Sequence, residues 1–406
     1  MSPLSSALSG RSRSWPRIAV LPFTGLSIVP SAEVLPLTAG NLKLSRPGAE
    51  PGLRAWDAAD ELLLAEAGNR LADSPRVLVV DDQFGALTLG LAQAHGPVTS
   101  VADSAVLPDA LDYNARHNPG IARPALLHSW LNPPEGPFDL VVLRIPRHGA
   151  YLGWLLRWVN SVLADNGCLL AGGMIKHLPD RSVDVFAEAV VTETVLPARK
   201  KARVVVCRKG QAQLQGWAES WKGYPQEGLP APVEALPAVF ARDKLDIGTR
   251  ELLPLVGPAV AGLKPGARVL DLACGNGVLG LTALACGSDI TVDFSDVSSQ
   301  AIASVQHNLG TCGYRAGQCQ HSDGIREGAA QYDLILLNPP FHEGGVVGDH
   351  IALRLFRDAA KHLVPGGRML MVGNRHLGYH KSLKRFFGKV EQRAASPRFV
   401  VFEAAP

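Results

Sequence analysis

Short apolar runs alternate with longer stretches of helical periodicity along this chain, and the alternation repeats in a second half. Arg76-Val77-Leu78-Val79-Val80-Asp81-Asp82-Gln83-Phe84-Gly85-Ala86-Leu87 aligns with Arg268-Val269-Leu270-Asp271-Leu272-Ala273-Cys274-Gly275-Asn276-Gly277-Val278-Leu279, each reading as a strand, a turn and a helix start. Val98-Thr99-Ser100-Val101-Ala102-Asp103 matches Ile290-Thr291-Val292-Asp293-Phe294-Ser295-Asp296, and Phe138-Asp139-Leu140-Val141-Val142-Leu143 matches Tyr332-Asp333-Leu334-Ile335-Leu336-Leu337. A helix, a Gly-marked turn and a closing strand pair follow in both halves, with Arg203-Val204-Val205-Val206 echoed by Arg398-Phe399-Val400-Val401-Phe402. Strands that alternate with helical stretches specify an α/β fold with a doubly wound, mostly parallel sheet, whose ligands bind at the carboxyl ends of the strands. The expectation is two tandem Rossmann-like domains, and duplication followed by divergence is the simplest account. Their expected extents are 41–210 and 238–406, joined by a Pro- and Gly-punctuated linker over 211–237. Residues 1–40 carry Ser, Arg and Pro without a strong period and stay unassigned, read as a flexible extension or an over-long gene start ahead of a transit-like segment.

Composition narrows this picture only modestly. With 406 residues, 47% of them hydrophobic, the chain is long enough for two cores. Charge interrupts every apolar run before membrane-spanning length, so no membrane partner is expected. Six cysteines lie scattered without ligand spacing, which favours free thiols in the cytoplasm over disulfides or a metal site. A net charge of +3 suits an RNA partner and equally an ordinary enzyme.

The candidate chemistry sits in the second half. Asp271-Leu272-Ala273-Cys274-Gly275-Asn276-Gly277 follows a strand and opens a helix, and its glycines let backbone approach a ligand closely. Gly275, Gly277 and Gly280 also satisfy the dinucleotide pattern GxGxxG, so the loop alone is weak evidence. Asp271 suits a ligand with a cationic amino-acid part, Asp296 is placed to accept from two ribose hydroxyls, and Asp323 to meet an adenine amino group. Each also has an ordinary reading as a turn former or helix cap. Together with Gly275, Asn276 and Gly277 they outline a pocket for S-adenosylmethionine.

Asn338-Pro339-Pro340-Phe341 at the next strand tip points to methylation of a planar nitrogen. The Asn338 side-chain oxygen and the Pro339 carbonyl can accept from an exocyclic NH₂ while Phe341 offers a stacking face, and the prolines hold these acceptors in place. At the matching places in the first half Val79 replaces Asp271, Gln83 replaces Gly275, and Arg144-Ile145-Pro146-Arg147 replaces the tetrad. The first half therefore reads as degenerate. Arg144, Arg147, His148, Lys176, His177 and the cluster Arg199-Lys200-Lys201-Ala202-Arg203 are its candidate phosphate contacts, with a solvated charged surface as the alternative.

At these residues the chain resembles the bacterial ribosomal RNA guanine-N2 methyltransferases with tandem methyltransferase-like domains, of the RsmC/RlmG type. The resemblance runs from about residue 41 to the end. It rests on Arg54-Ala55-Trp56-Asp57-Ala58-Ala59-Asp60-Glu61, on Phe240-Ala241-Arg242-Asp243-Lys244-Leu245-Asp246-Ile247-Gly248-Thr249, on the glycine loop and on the tetrad with His342. The Trp56-Asp57-Ala58-Ala59-Asp60 opening and Gly373-Asn374-Arg375-His376-Leu377-Gly378-Tyr379-His380 look more like the large-subunit branch. The resemblance implies methyl transfer from S-adenosylmethionine to N2 of a guanine in 23S ribosomal RNA, a ribosomal RNA or subunit partner, and a first domain that helps recognise RNA. It also implies that Phe240, Asp246 and Gly248 sit over the cofactor and target base. Arg375, His376, Lys381, Lys384 and Arg385 would steer phosphates, unless they form a merely solvated helix face. A small-subunit 16S guanine-N2 enzyme and a protein-glutamine N5 methyltransferase are the alternatives, since the tetrad serves those acceptors too. A non-catalytic RNA-binding or assembly factor is a third reading, opposed by the intact second-half motifs.

Overall fold

Two seven-stranded sheets account for the repeated pattern, one in each half of the chain. The computed structural model describes residues 32–46, 53–71, 76–121, 127–178, 182–212, 220–326, 328–340 and 350–406. In the first half a hairpin of β1 (Glu33–Leu37) and β2 (Gly40–Leu44) precedes α1 (Ala58–Gly68), β3 (Val77–Val80), α2 (Ala86–His95), β4 (Thr99–Val101), α3 (Val106–Arg116) and β5 (Leu127–His128). Then come β6 (Phe138–Arg144), α4 (Gly149–Val162), β7 (Leu163–Met174), α5 (Ser182–Ala187), β8 (Val190–Val195) and β9 (Ala202–Lys209). The second half opens on a hairpin of β10 (Lys222–Tyr224) and β11 (Val233–Ala235), then α6 (Ile247–Ala261), β12 (Ala267–Leu272), α7 (Val278–Cys286), β13 (Ile290–Asp296), α8 (Ser299–Cys312) and β14 (Cys319–His321). It finishes with β15 (Tyr332–Leu337), α9 (His350–Lys361), β16 (Leu363–Asn374), α10 (Tyr379–Leu383), β17 (Lys389–Ala395) and β18 (Phe399–Ala405).

The strand orders, β5-β4-β3-β6-β7-β9-β8 and β14-β13-β12-β15-β16-β18-β17, are the same. Pairing is parallel until the final strand of each half, β9 or β18, which runs antiparallel to both neighbours. Period-two alternation sorts the core into layers. Val77 and Val79 face the cluster built on α1 and α2, while Leu78 and Val80 face the one built on α4. Leu334 and Leu336 likewise join one face of the second sheet, and Ile335 and Leu337 the other. Leu337 pairs with Leu272 on one side and Met371 on the other, so the carboxyl ends of β12 and β15 lie side by side.

Two expected boundaries shift. The first domain begins at the β1–β2 hairpin rather than at residue 41, because Leu35, Leu42 and Leu44 are buried in its core. The segment expected as a linker carries the β10–β11 hairpin, whose Tyr224 and Val233 are buried in the second core.

The halves meet where the loop after β4 touches the start of α8. Asp103 Oδ1 accepts from the Gln300 amide and the Ser299 hydroxyl, both at 2.9 Å. The Ala105 amide donates to the Val297 carbonyl at 2.8 Å. A carboxylate from one half thus caps a helix of the other, directly after the strand that ends in Asp296.

Candidate active site

The loop between β12 and α7 turns through left-handed backbone at Ala273, Gly275 and Gly277. At Gly277 a Cβ would lie 2.9 Å from Val305, and at Gly280 one would lie 2.3 Å from the Phe294 ring, so both positions exclude side chains. Around Gly275 the space is open, the nearest atom to a built Cβ being the Phe240 carbonyl oxygen at 4.0 Å. Asp271 Oδ2 accepts from the Gly280 amide at 2.8 Å, while its Oδ1 is buried and has no hydrogen-bond partner among the described residues. Burial pushes the Asp271 carboxyl well above the usual carboxylate range, and neighbouring Asp296 adds to the shift. An arriving cation would relieve both the desolvation and the orphaned oxygen. Asp296 holds the loop itself, its two oxygens accepting from the Gly275 and Ser298 amides at 2.8 Å each. Burial pushes its carboxyl up to about 6. These residues fit a ligand that carries an ammonium group and ribose hydroxyls.

Beside the loop is a cavity whose walls include Leu272, Asp296, Ser322, Asp323, Pro340 and Leu355. Asp323 reaches this cavity, but both of its carboxylate oxygens are forked onto the Arg354 guanidinium. This ion pair ties the β14 end to α9 and fixes the carboxylate at the cavity wall, where an adenine amino group was expected. Asn276 is tied down as well. Its side chain donates to the Tyr224 hydroxyl at 3.0 Å and its carbonyl accepts from Asn308 at 2.9 Å, so it braces the loop.

Asn338 stands one residue beyond β15, with its amide orientation fixed by the amino terminus of α6. Nδ2 donates to Asp246 Oδ2 at 3.1 Å and to Thr249 Oγ1 at 2.9 Å. Oδ1, buried, has no partner among the described residues. Anchoring the amide nitrogen aims the oxygen, which leaves a fixed, unsatisfied acceptor at the strand tip. Asp246 is the cap of α6, accepting from the Thr249 amide at 2.8 Å. Expected close to the cofactor and target base, it also holds Asn338. Gly248 is needed for a close approach, since a Cβ there would lie 3.0 Å from both the Phe399 ring and Asp246 Oδ2. Phe240 is 63% exposed, with its carbonyl over the glycine loop. Pro339 is buried and Pro340 lines the cavity. Arg375 is one strand away, its guanidinium donating to the Ser396 carbonyl. Phe341 and His342 lie outside the described residues.

The first half shows how the same frame closes. Asp81 and Gly85 keep the left-handed backbone of Ala273 and Gly277. Asp82 now fills the loop, its carboxylate accepting from the Gly85 amide at 3.2 Å and the Thr88 amide at 2.8 Å. Arg144, at the place of Asn338, is 8% exposed. It binds Asp57 at 2.6 Å and Asp60 at 3.1 Å. Asp57 caps α1 as Asp246 caps α6, so the cap carboxylate persists while a guanidinium replaces the amide. Arg144 is therefore no phosphate contact, because a cation forked between two carboxylates in a buried site is already neutralised. Lys200 is partly committed too, pairing with Glu61 at 2.7 Å. Arg147, Lys176, Arg199 and Lys201 stay exposed. Sequence reasoning missed Thr249 and the Asp57–Arg144–Asp60 cluster, although an aspartate just before the matching helices signals both.

A methyl-transfer domain of the Rossmann type, paired with a closed copy of itself, is the class that this frame defines. Comparison with known proteins agrees. A methyltransferase small domain model matches residues 231–403, and an RLMG N-terminal domain model matches residues 32–211. A ribosomal RNA large subunit methyltransferase G of Alcanivorax borkumensis is 39% identical, over 86% of this chain and 90% of that protein. The same enzyme of Ectopseudomonas mendocina is 40% identical, over 90% of this chain and 97% of that protein. The solved structure of the T. Thermophilus 16S rRNA N2 G1207 methyltransferase (RsmC), in complex with AdoMet and guanosine, superposes with a TM-score of 0.72 at 25% identity. It covers 92% of this chain and 97% of that one. The chain belongs to the ribosomal RNA large subunit methyltransferase G family, and it is a methyltransferase.

Proposed function

We propose that this protein transfers the methyl group of S-adenosylmethionine to the N2 amine of one guanine in large-subunit 23S ribosomal RNA, in the cytoplasm. The observation that carries the reaction is the partnerless Asn338 Oδ1, held in place by Asp246 and Thr249. S-adenosylmethionine supplies an electrophilic methyl group when bound. Asp271 Oδ1 would take its ammonium, the open face at Gly275 its chain, and Asp296 its ribose.

The guanine amine is a poor nucleophile because its lone pair is delocalised into the ring. Acceptance of its two N–H groups by Asn338 Oδ1 and the Pro339 carbonyl favours pyramidalisation and frees the lone pair. The same two acceptors stabilise positive charge as it develops on nitrogen. Since the methylated amine loses its proton to water readily, no strong base is needed. The base must leave its stack to reach a strand tip beside the loop, as in other enzymes that act on single bases.

The large-subunit assignment rests on relatives near 40% identity over most of the chain, against 25% for the small-subunit T. Thermophilus enzyme. A protein-glutamine substrate gives no role to the closed first half. Mass-spectrometric nucleoside mapping of ribosomal RNA from cells with and without the protein tests the proposal. N2-methylguanine should vanish from one 23S position, and its loss from 16S instead would move the target to the small subunit.

A further inference from the structure

Next to the catalytic strand tip lies a second cleft that the mechanism does not use. Its volume is about 450 Å³, and it opens between the turn from β16 into α10 on one side and the β17–β18 hairpin on the other. Asn374 at the end of β16 forms its near edge. Leu337 at the end of β15 pairs with Met371 of β16, three residues before Asn374. The cleft therefore begins on the strand next to the one whose tip presents Asn338, at the same carboxyl edge of the sheet and on the face away from α6.

Its lining has three kinds of chemistry. Arg375, His380 and Lys384 form a basic wall, and no carboxylate is among the lining residues. Val400 and Phe402 of β18 are buried in the sheet and form an apolar floor together with Val390. Asn374 and Gln392 bring side-chain amides, each able to donate and accept. A basic wall suits a phosphate, an apolar floor suits the face of a base, and amides suit its edge. The volume is that of a small-ligand site, matching one nucleotide rather than a helix or an extended duplex.

We propose that this cleft receives the nucleotide next to the target guanine on the same RNA strand. Its phosphate faces Lys384 and His380, and its base edge meets Gln392 and Asn374. This rests on the RNA reading above. A single strand splayed across the β15 and β16 tips would place one base at Asn338 and its neighbour in the cleft. The cleft then contributes to choosing which guanine is modified, because the amides read a base that the tetrad does not touch.

Lys384 and Gln392 are exposed, so Lys384→Ala and Gln392→Ala leave the core untouched. Full-length protein is assayed on 23S RNA from cells lacking the enzyme, with affinity for S-adenosylmethionine measured separately. Lys384→Ala should raise KM for the RNA about tenfold and lower the slope of log KM against log salt by about one. Gln392→Ala should raise KM several-fold, keep the salt slope, and relax discrimination when the flanking nucleotide is changed. Methyl-donor affinity should hold in both. Unchanged RNA KM and unchanged flanking preference in both variants would overturn the cleft while leaving the function standing. A wild-type protein that leaves the RNA unmethylated would overturn both readings together.

Discussion

Replacing Asp246 tests whether the Asn338 amide serves the proposed reaction by being aimed from the helix beneath it. In Asp246→Ala, Asn338 Nδ2 loses its bond to a carboxylate at 3.1 Å and keeps only Thr249 Oγ1 at 2.9 Å. A hydrogen bond to a charged group contributes about 1.5–3 kcal/mol. If that orientation is needed only in the transition state, kcat falls roughly 10- to 150-fold. The lower part of the range is expected, since Thr249 still restrains the amide. The α6 cap is lost too, because the Thr249 amide donates to the same oxygen at 2.8 Å, which costs about 1 kcal/mol of stability. For a domain of this size that lowers Tm by about 2–4 °C. Asp246→Asn keeps an acceptor oxygen and should recover most of both losses. The assay is transfer of labelled methyl from S-adenosylmethionine to unmethylated 23S RNA at saturating substrates, beside calorimetric donor binding and thermal melting. A kcat for Asp246→Ala within twofold of wild type, with the expected drop in Tm, would show that Asp246 is only a cap.

Asn338→Ala should remove methyl transfer while sparing donor affinity, because the groups proposed to hold the donor, Asp271 and Asp296, lie on β12 and β13; wild-type turnover in that variant ends the mechanism. Donor affinity should weaken as pH falls, with a step through about 6 of up to tenfold per pH unit, because Asp296 must be ionised to accept from the ribose; calorimetry across pH 5–8 checks this, and Asp296→Asn should remove that step while leaving the dependence set by Asp271. Arg144→Ala should destabilise the protein by about 3–5 kcal/mol, since it leaves Asp57 and Asp60 facing each other. Burial already pushes the Asp60 carboxyl up to about 7, so the folded state binds the extra proton between about pH 4 and 7 and loses stability as pH rises through that window. Without the guanidinium the window extends upward, and denaturant melts should show a larger deficit at pH 8 than at pH 5. An equal deficit at both values would refute the pairing.

The strands that build both sheets were readable because a parallel strand buried on two faces is a continuous apolar run, as in 77–80 and 334–337. The hairpins at 33–44 and 222–235 were not, since their strands are short and hold Pro36, Gly40 and Gly223. They gain strand geometry by packing onto a domain that a local pattern does not show. The glycine loop was legible for another reason: left-handed backbone and close packing restrict which residues fit at Gly277 and Gly280. The partners of Asp323 and Asn276 were not legible, because residue type and strand position do not reveal them. Arg354 is 31 residues from Asp323, and Tyr224 is 52 from Asn276.

Sequence alone was enough to identify two copies of one α/β plan and a methyl-transfer motif kept in the second and lost from the first, and it singled out Asn338 as the candidate residue for the chemistry. Those conclusions follow from local rules of periodicity, backbone freedom and donor and acceptor inventory. Tertiary structure decided which oxygen of the site is free. Asp246 lies 92 residues before Asn338, and only the fold brings its carboxylate to the amide nitrogen. It also decided what became of the decayed copy. Arg144 reads in sequence as a cation at a strand tip, ready for phosphate, and the fold buries it between Asp57 and Asp60, 87 and 84 residues away. A charge is available to a ligand only if the chain has not already neutralised it, and that depends on contacts between residues far apart in sequence.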